Sequence, residues 1–271
     1  MTPSTRPMPA LGLGTFRLKD QTVIDAVRSG LSLGYRHIDT AQIYGNEAEV
    51  GQAIAESGVP RAELFVTTKI WTESLAGDRL VPSLRESLAR LRLDAIDLTL
   101  IHWPSPGGAV PLKETLQALL DARRQGLTHA IGLSNFTVAQ MREAIELVGV
   151  AALATNQVEC HPFLQNRAVV DFARAQGLHL TAYMPLAYGK VMADPVLQDI
   201  AAKHGTTPAQ VSLAWLLQQG FAVIPSSTRP ANQAANLQAL SLQLDDADME
   251  RIATLDRGER LTNPDFAPAW D

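Results

Sequence analysis

Residues 34–51, GYRHIDTAQIYGNEAEVG, decide how the rest of the chain is read. The run 35–38 alternates apolar side chains and delivers Asp39 at its end. Tyr44 follows five residues later, in a turn marked by Gly45-Asn46, before the helix-like EAEVGQAIAES. An acid at a strand end is about as often the cap of the next helix as a catalytic group. Two later units change the balance. LFVTTK (64–69) is a second apolar strand, and it ends in Lys69. IDLTLIHWP (96–104) is a third, and its strand ends in His102. Three successive strands each finish in an ionisable residue, and chance rarely places such groups at three consecutive strand ends.

Working outward, strand-like and helix-like segments alternate over the whole chain. LGLGTF (11–16) reads as a first strand, followed by the amphipathic helix 20–34 with Val23, Ile24, Val27 and Leu31 at helical spacing. After the second strand come helix 47–58, closed by Gly58, then strand three and a helix near 78–93. Strand four leads to helix 112–126, strand five (129–136) to helix 139–148, and strand six (153–159) to helix 166–177. Strand seven (178–186) precedes two helical stretches near 194–204 and 208–219. Strand eight (221–227) precedes helices at 232–240 and 245–255. Such alternation predicts parallel βαβ units. Eight of them fit a closed α/β barrel, the (β/α)8 TIM barrel, better than an open sheet. A doubly wound sheet would show an early glycine-rich phosphate loop, and the run Gly12-Leu13-Gly14-Thr15-Phe16-Arg17 lacks the third glycine. No linker-like break interrupts the pattern, so 1–271 is expected to be one domain, with 1–10 flexible and 256–271 a tail over the barrel.

Composition sets the outer limits. The chain has 271 residues, 46% hydrophobic and 19% charged, enough for a sizeable core. A net charge of −5 argues against a nucleic-acid partner, which needs a concentrated basic surface. The first ten residues lack the apolar core of a signal peptide, and no apolar run reaches membrane-spanning length. The single cysteine, Cys160, excludes an internal disulfide framework and fits a reducing cytoplasm. Cys160-His161 lacks metal-ligand spacing and reads as loop structure.

In a barrel of this kind the C-terminal strand ends form the active face, so Asp39, Lys69 and His102 gather there with Tyr44 beside them. A free phenol has a pKa of about 10, too high for an efficient acid near neutral pH. A neighbouring ammonium is expected to lower it, with Asp39 holding Lys69 charged and oriented. A histidine opposite can donate a hydrogen bond to a substrate oxygen. This set suits protonating an oxygen as negative charge develops on it, which is carbonyl reduction. A Schiff-base role for Lys69 is disfavoured, because Asp39 and Tyr44 serve a charged lysine. Trp71 and Trp103, each just past one of these strand ends, are candidate walls of an apolar substrate pocket.

The motifs GYRHIDTAQIYGNEAEVG, the TK of LFVTTK, LIHWP, IGLSNF, NQVECHP, AYMPL and IPSS, in this order and spacing, resemble the aldo-keto reductases from Leu11 onward. The resemblance implies a barrel that binds NADP(H) without a Rossmann fold and reduces a small-molecule carbonyl: a small aldehyde, a methylglyoxal-like ketoaldehyde or a diketo acid. A monomer is expected. Its catalytic tetrad falls on Asp39, Tyr44, Lys69 and His102, with Tyr44 the proton donor. Asp39, Ser134, Asn135 and Gln157 would lie at the nicotinamide, and Tyr183 would stack on the ring. Pro185 and Leu186 would line the same site, while Thr15 and Phe16 would border cofactor and substrate. The pair Ser134-Asn135 is also placed to cap the helix that begins near Thr137.

The cofactor's 2′-phosphate would meet Ser226, Ser227, Thr228, Arg229, Asn232 and Asn236. Here the chain departs from the family pattern. Ser226 stands where a lysine is usual and Asn232 where an arginine is usual, which leaves Arg229 as the cation of that loop. Ala130 replaces a usual charged or amide residue, with little expected consequence. The segment 104–112 and the stretch after Leu186 are short, which predicts an open pocket for small or varied carbonyls. The family's fold also permits a different class of function, a cofactor-binding regulatory or interaction subunit with little turnover.

Overall fold

A computed structural model describes residues 7–271. Among the described residues are eight strands: β1 Leu13–Gly14, β2 His37–Asp39, β3 Phe65–Ile70, β4 Ile96–Ile101, β5 Thr128–Ser134, β6 Leu153–Glu159, β7 Leu180–Tyr183 and β8 Ala222–Val223. They pair in sequence order, and every pair is parallel. The two edges of the sheet also meet. Gly12 N–H donates to Val223 O at 2.8 Å, Gly14 N–H to Pro225 O at 3.0 Å, and Val223 N–H to Ala10 O at 2.8 Å. Of the segment 1–10, residues 1–6 lie outside the described residues, and Ala10 is held to β8 by that last bond.

The helices that alternate with the strands are α1 Asp20–Leu33, α2 Glu47–Glu56, α3 Gly77–Leu91, α4 Leu112–Arg124, α5 Val138–Val148 and α6 Arg167–Gln176. They continue with α7 Pro195–Lys203, α8 Pro208–Gln218, α9 Pro230–Gln238 and α10 Asp246–Ala253. The expected face of α1 is the buried one, carrying Val23, Ile24, Val27 and Leu31. Gly34 ends that helix at φ 108°, a left-handed conformation that favours glycine. Strands β1 and β8 are shorter than their apolar runs suggested. Pro225 has no N–H to give to a ladder, and β8 stops before it.

The strands are buried on both faces, as a helix-covered parallel sheet requires, and their alternation separates two layers. Val66 and Ile70 of β3 point outward into the large core beneath the helices, with Ile38, Leu80 and Leu84. Phe65, Leu98 and Leu100 point inward and form a smaller core inside the curled sheet. Thr68, also outward, donates to Glu47 Oε1 at 2.6 Å, and Arg90 Nε reaches Glu47 Oε2 at 2.8 Å. That carboxylate ties α2, β3 and α3 together.

Register explains how the strand-end residues converge. Asp39 lies level with Thr67, and Lys69 is two residues further along β3, so on the same inward face. Lys69 lies level with Leu100, and His102 is two residues beyond that. Each polar group therefore sits one step higher on the next strand, a staircase set by the stagger of the sheet.

Close helix packing yields one stability prediction. A Cβ on Gly51 of α2 would lie 2.5 Å from the backbone oxygen of Leu91 at the end of α3. Alanine gains up to ~1 kcal/mol of helix propensity over glycine, but overpacking against backbone costs roughly 1–3 kcal/mol. Gly51→Ala is expected to be destabilising by about 1–2 kcal/mol on balance. Urea denaturation checks this, and a net stabilisation would show that α2 and α3 separate freely.

Candidate active site

Strands β2 and β3 bring the first two polar groups together. Lys69 Nζ lies 2.5 Å from Asp39 Oδ1, donates to Thr40 O at 2.9 Å, and reaches the Tyr44 hydroxyl at 3.5 Å. The other oxygen of Asp39 accepts from Gln157 Nε2 on β6 at 2.8 Å, across the interior of the sheet. Thr15 Oγ1 donates to the Asp39 carbonyl at 3.0 Å. The carboxylate is thus held between a cation and an amide, and both members of the ion pair are almost fully buried.

Tyr44 comes from the single 3₁₀ turn Gln42–Tyr44 that follows β2, closed by Gly45 at φ 60°. Asn46 fixes this turn by accepting from Thr40 Oγ1 and donating to the carbonyls of Thr15 and Leu18. Lys19 Nζ donates to the Tyr44 carbonyl from the loop after β1. The Tyr44 ring stands edge-on to His102, with centroids 5.6 Å apart. All four residues expected at the site therefore meet.

Burial controls their protonation. It pushes the Tyr44 phenol well above its ordinary pKa of 10, and the Asp39 carboxylate adds to the effect. The lowering expected from Lys69 is therefore not the net result: desolvation of the phenolate outweighs the ammonium. The phenol is protonated at neutral pH. Burial lowers the Lys69 pKa, with Asp39 opposing. His102 falls well below 6.5 through burial, with the Lys69 charge adding to it, so it is neutral.

Beside the four lies a polar cluster from β5, β6 and β7. Ser134 Oγ donates to Gln157 O at 2.8 Å. Asn135 Nδ2 donates to His102 O at 3.0 Å, and Tyr183 donates its hydroxyl hydrogen to Asn135 Oδ1 at 2.8 Å. Asn135 adopts φ 64°, which asparagine tolerates better than most residues and which aims its amide at His102. The Ser134-Asn135 pair does not cap the next helix. Thr137 does so itself, in a capping box with Gln140. Pro185 is buried just beyond β7, its carbonyl accepting from Ser212 Oγ, and Leu186 is half-buried.

Aromatic side chains wall the space around His102. Phe16 lies 5.1 Å from Tyr44 and Trp71 lies 5.3 Å from His102, centroid to centroid. Phe266 stands edge-on to both Trp71 (5.7 Å) and Trp103 (5.6 Å), and Trp270 packs on Trp103 at 5.9 Å. Phe266 and Trp270 belong to the tail expected over the barrel, in which no residue was singled out. The signal was present: two aromatics in a segment without helical or strand periodicity. The pocket left open by short loops is narrowed by this tail.

The loop after β8 carries the other predicted set. Ser226, Thr228, Arg229 and Asn232 are exposed, and Arg229 N–H donates to Ser227 Oγ at 3.2 Å at the start of α9. Asn236 is buried on α9. Exposed hydroxyls, one guanidinium and a helix N-terminus form a donor set that suits a phosphate. Cys160 is buried, and its thiol is pushed up, chiefly by that burial.

Known proteins resemble this chain over nearly its full length. The chain is 61% identical over 265 residues to methylglyoxal reductase DkgB of Salmonella typhimurium, covering 97% of this chain and 99% of the relative. It is 40% identical over 260 residues to glyoxal reductase of Bacillus subtilis, covering 95% and 93%. A solved structure provisionally assigned as 2,5-diketo-D-gluconic acid reductase B superposes with a TM-score of 0.93 at 46% identity, covering 97% of this chain and 94% of that one. No helix among the described residues is long and apolar enough to cross a membrane. Residues 10–257 match the profile of the aldo/keto reductase family, and the chain belongs to that family of oxidoreductases.

Proposed function

We propose that this protein is an NADPH-dependent reductase of small aldehydes, ketoaldehydes of the methylglyoxal kind and diketo acids, acting as a monomer built from one closed (β/α)8 domain. The observation that carries the proposal is the Tyr44 hydroxyl, 3.5 Å from the Lys69 ammonium and on a ring that stands edge-on to His102. A bound nicotinamide would supply the hydride that the carbonyl carbon needs. The rest follows from the chain's own groups. His102, being neutral, orients the carbonyl oxygen without competing as an acid. Tyr44 gives its proton to that oxygen as charge develops. Lys69, held by Asp39 and Thr40, stabilises the phenolate left behind, which the buried site otherwise disfavours. Ser134, Asn135 and Gln157 would hold the carboxamide, and Tyr183 would lie against the ring. Trp71, Trp103 and Phe16, with Phe266, exclude water from the substrate side.

The phosphate donor set is proposed to hold the 2′-phosphate. Without the usual lysine and arginine, Arg229 is the exposed cation of the loop, and Ser226, Ser227 and Thr228 with the α9 N-terminus supply donors. Asn232 and Asn236 border the same place. The names of the relatives support the substrate class, and the exposed mouth at Phe16 and Tyr188 suits ligands of different shape.

Three measurements test this reading. Tyr44→Phe is expected to keep NADPH affinity and lose reduction by ~10²–10⁴-fold, the usual share of acid catalysis. More than about a tenth of wild-type turnover in the variant sinks the proton-donor assignment.

The pH profile tests the state of His102. Because burial holds its pKa well below 6.5, it gains no proton as pH falls through that value, and Tyr44 loses none until above 10. The ratio kcat/KM is therefore expected to show no inflection near pH 6.5. An acid limb there that disappears in His102→Gln shows instead that the imidazole is charged in use.

Arg229→Ala is expected to weaken NADPH binding by ~1–3 kcal/mol, the scale of charge-assisted hydrogen bonds, and to leave NADH binding almost unchanged. Dissociation constants for both cofactors decide it. Equal losses for the two, or no loss for either, remove Arg229 from the phosphate site.

A further inference from the structure

Glu159, the last residue of β6, is fully buried, and its only charged-type neighbour within ion-pair distance among the described residues is His161, 2.9 Å from Oε1. Two backbone groups of the C-terminal tail complete its shell. Leu261 N–H donates to Oε1 and Thr262 N–H to Oε2, each at 2.8 Å. A buried carboxylate is costly unless hydrogen-bonded, so the docked tail stabilises Glu159 and Glu159 in turn holds the tail.

Further contacts extend the grip. Asn166 donates to the Glu159 carbonyl at 2.5 Å and accepts from Arg260 Nη2 at 2.9 Å, and the Arg260 guanidinium lies 3.6 Å from the Trp270 ring centre. The carbonyl of Phe163 accepts from Arg257 and Glu259 N–H. Near the far end, Asp271 Oδ2 accepts from Val138 N–H at the start of α5. Between the two attachments lies Phe266, set against Trp71 and Trp103.

We infer that Glu159 is a positioning residue for substrate selection: its carboxylate anchors residues 261–262 and so fixes where the Phe266 wall stands beside His102. The inference rests on the proposed carbonyl reduction for its kinetic consequence, but the anchoring itself is physical. Glutamine in its place keeps the shape and loses the match, because the amide nitrogen presents hydrogens to a tail N–H that needs an acceptor. A displaced wall affects substrates large enough to touch it, and spares small ones.

The test uses the full chain with two aldehydes, methylglyoxal and benzaldehyde, together with hydrogen exchange at the Leu261 and Thr262 amides. In Glu159→Gln both amides are expected to exchange faster. KM for benzaldehyde is expected to rise about tenfold, the scale of one lost charge-assisted hydrogen bond. Values of kcat, the NADPH dissociation constant and KM for methylglyoxal should stay within about twofold, because the groups around Tyr44 are untouched. Thr262→Pro removes one of the two donors and leaves the carboxylate in place, so it should show the same split, while Thr262→Ser keeps both the N–H and the hydroxyl that bonds Met184 Sδ and should behave as wild type. This pair decides alone if Glu159→Gln does not fold. Unchanged exchange at both amides in Glu159→Gln, and at the Leu261 amide in Thr262→Pro, overturns the anchor. Faster exchange with equal KM changes for both aldehydes, or with a fall in kcat, overturns the role in selection. Failure of wild type to reduce either aldehyde counts against the proposed function, and the exchange data still decide the anchor.

Discussion

The buried ion pair between Lys69 and Asp39 is the constraint on which the site depends. Two charges inside a sheet are tolerated only when geometry and additional hydrogen bonds offset their desolvation. Here the offset is spread over three strands: Thr40 O accepts from the ammonium, Gln157 donates to the carboxylate, and Thr15 fixes the Asp39 backbone. Breaking such a pair from one side leaves a lone buried charge, at a cost of about 3–5 kcal/mol. The pair therefore specifies the relative heights of β2, β3 and β6 as well as the electrostatics at Tyr44.

Burial also sets which protons are available. In water, an ammonium beside a phenol would favour the phenolate. Inside this sheet the desolvation of the phenolate is the larger effect, and the nearby Asp39 charge adds to it, so the phenol keeps its proton. The same burial keeps His102 neutral. Lys69 contributes to the proposed chemistry as charge develops on the phenol oxygen, rather than by ionising Tyr44 beforehand. This is preorganisation of the kind that costs little reorganisation at the moment of reaction.

The tail shows how a segment without regular structure is made definite. Between 257 and 271 it has no helix or strand, yet its backbone donors go to Glu159 and Phe163 and its aromatic rings to Trp71 and Trp103. Its order comes from the barrel rim. The rim in return gains a wall that neither short loop supplies.

Much of this was legible in the chain alone, because periodicity and strand-end chemistry are local. The eight apolar runs, the helices between them, and an acid, a lysine and a histidine at consecutive strand ends could be read without coordinates. The boundary of β6 at 153–159 follows directly from LATNQVE. Other features had no local signature. The heights of Asp39, Lys69 and His102 depend on the stagger between strands, and Gln157 reaches Asp39 from 118 residues away. Likewise, Thr137 rather than Ser134-Asn135 caps α5, because Asn135 is turned toward the His102 carbonyl. The direction of the Tyr44 pKa shift depended on burial, which no spacing reveals, and nothing local to Glu159 marks it as the partner of the tail. Sequence determined which chemical groups stand at the rim, since each is carried by its own strand. Tertiary structure decided their protonation and their partners, since both depend on what is excluded from water around them.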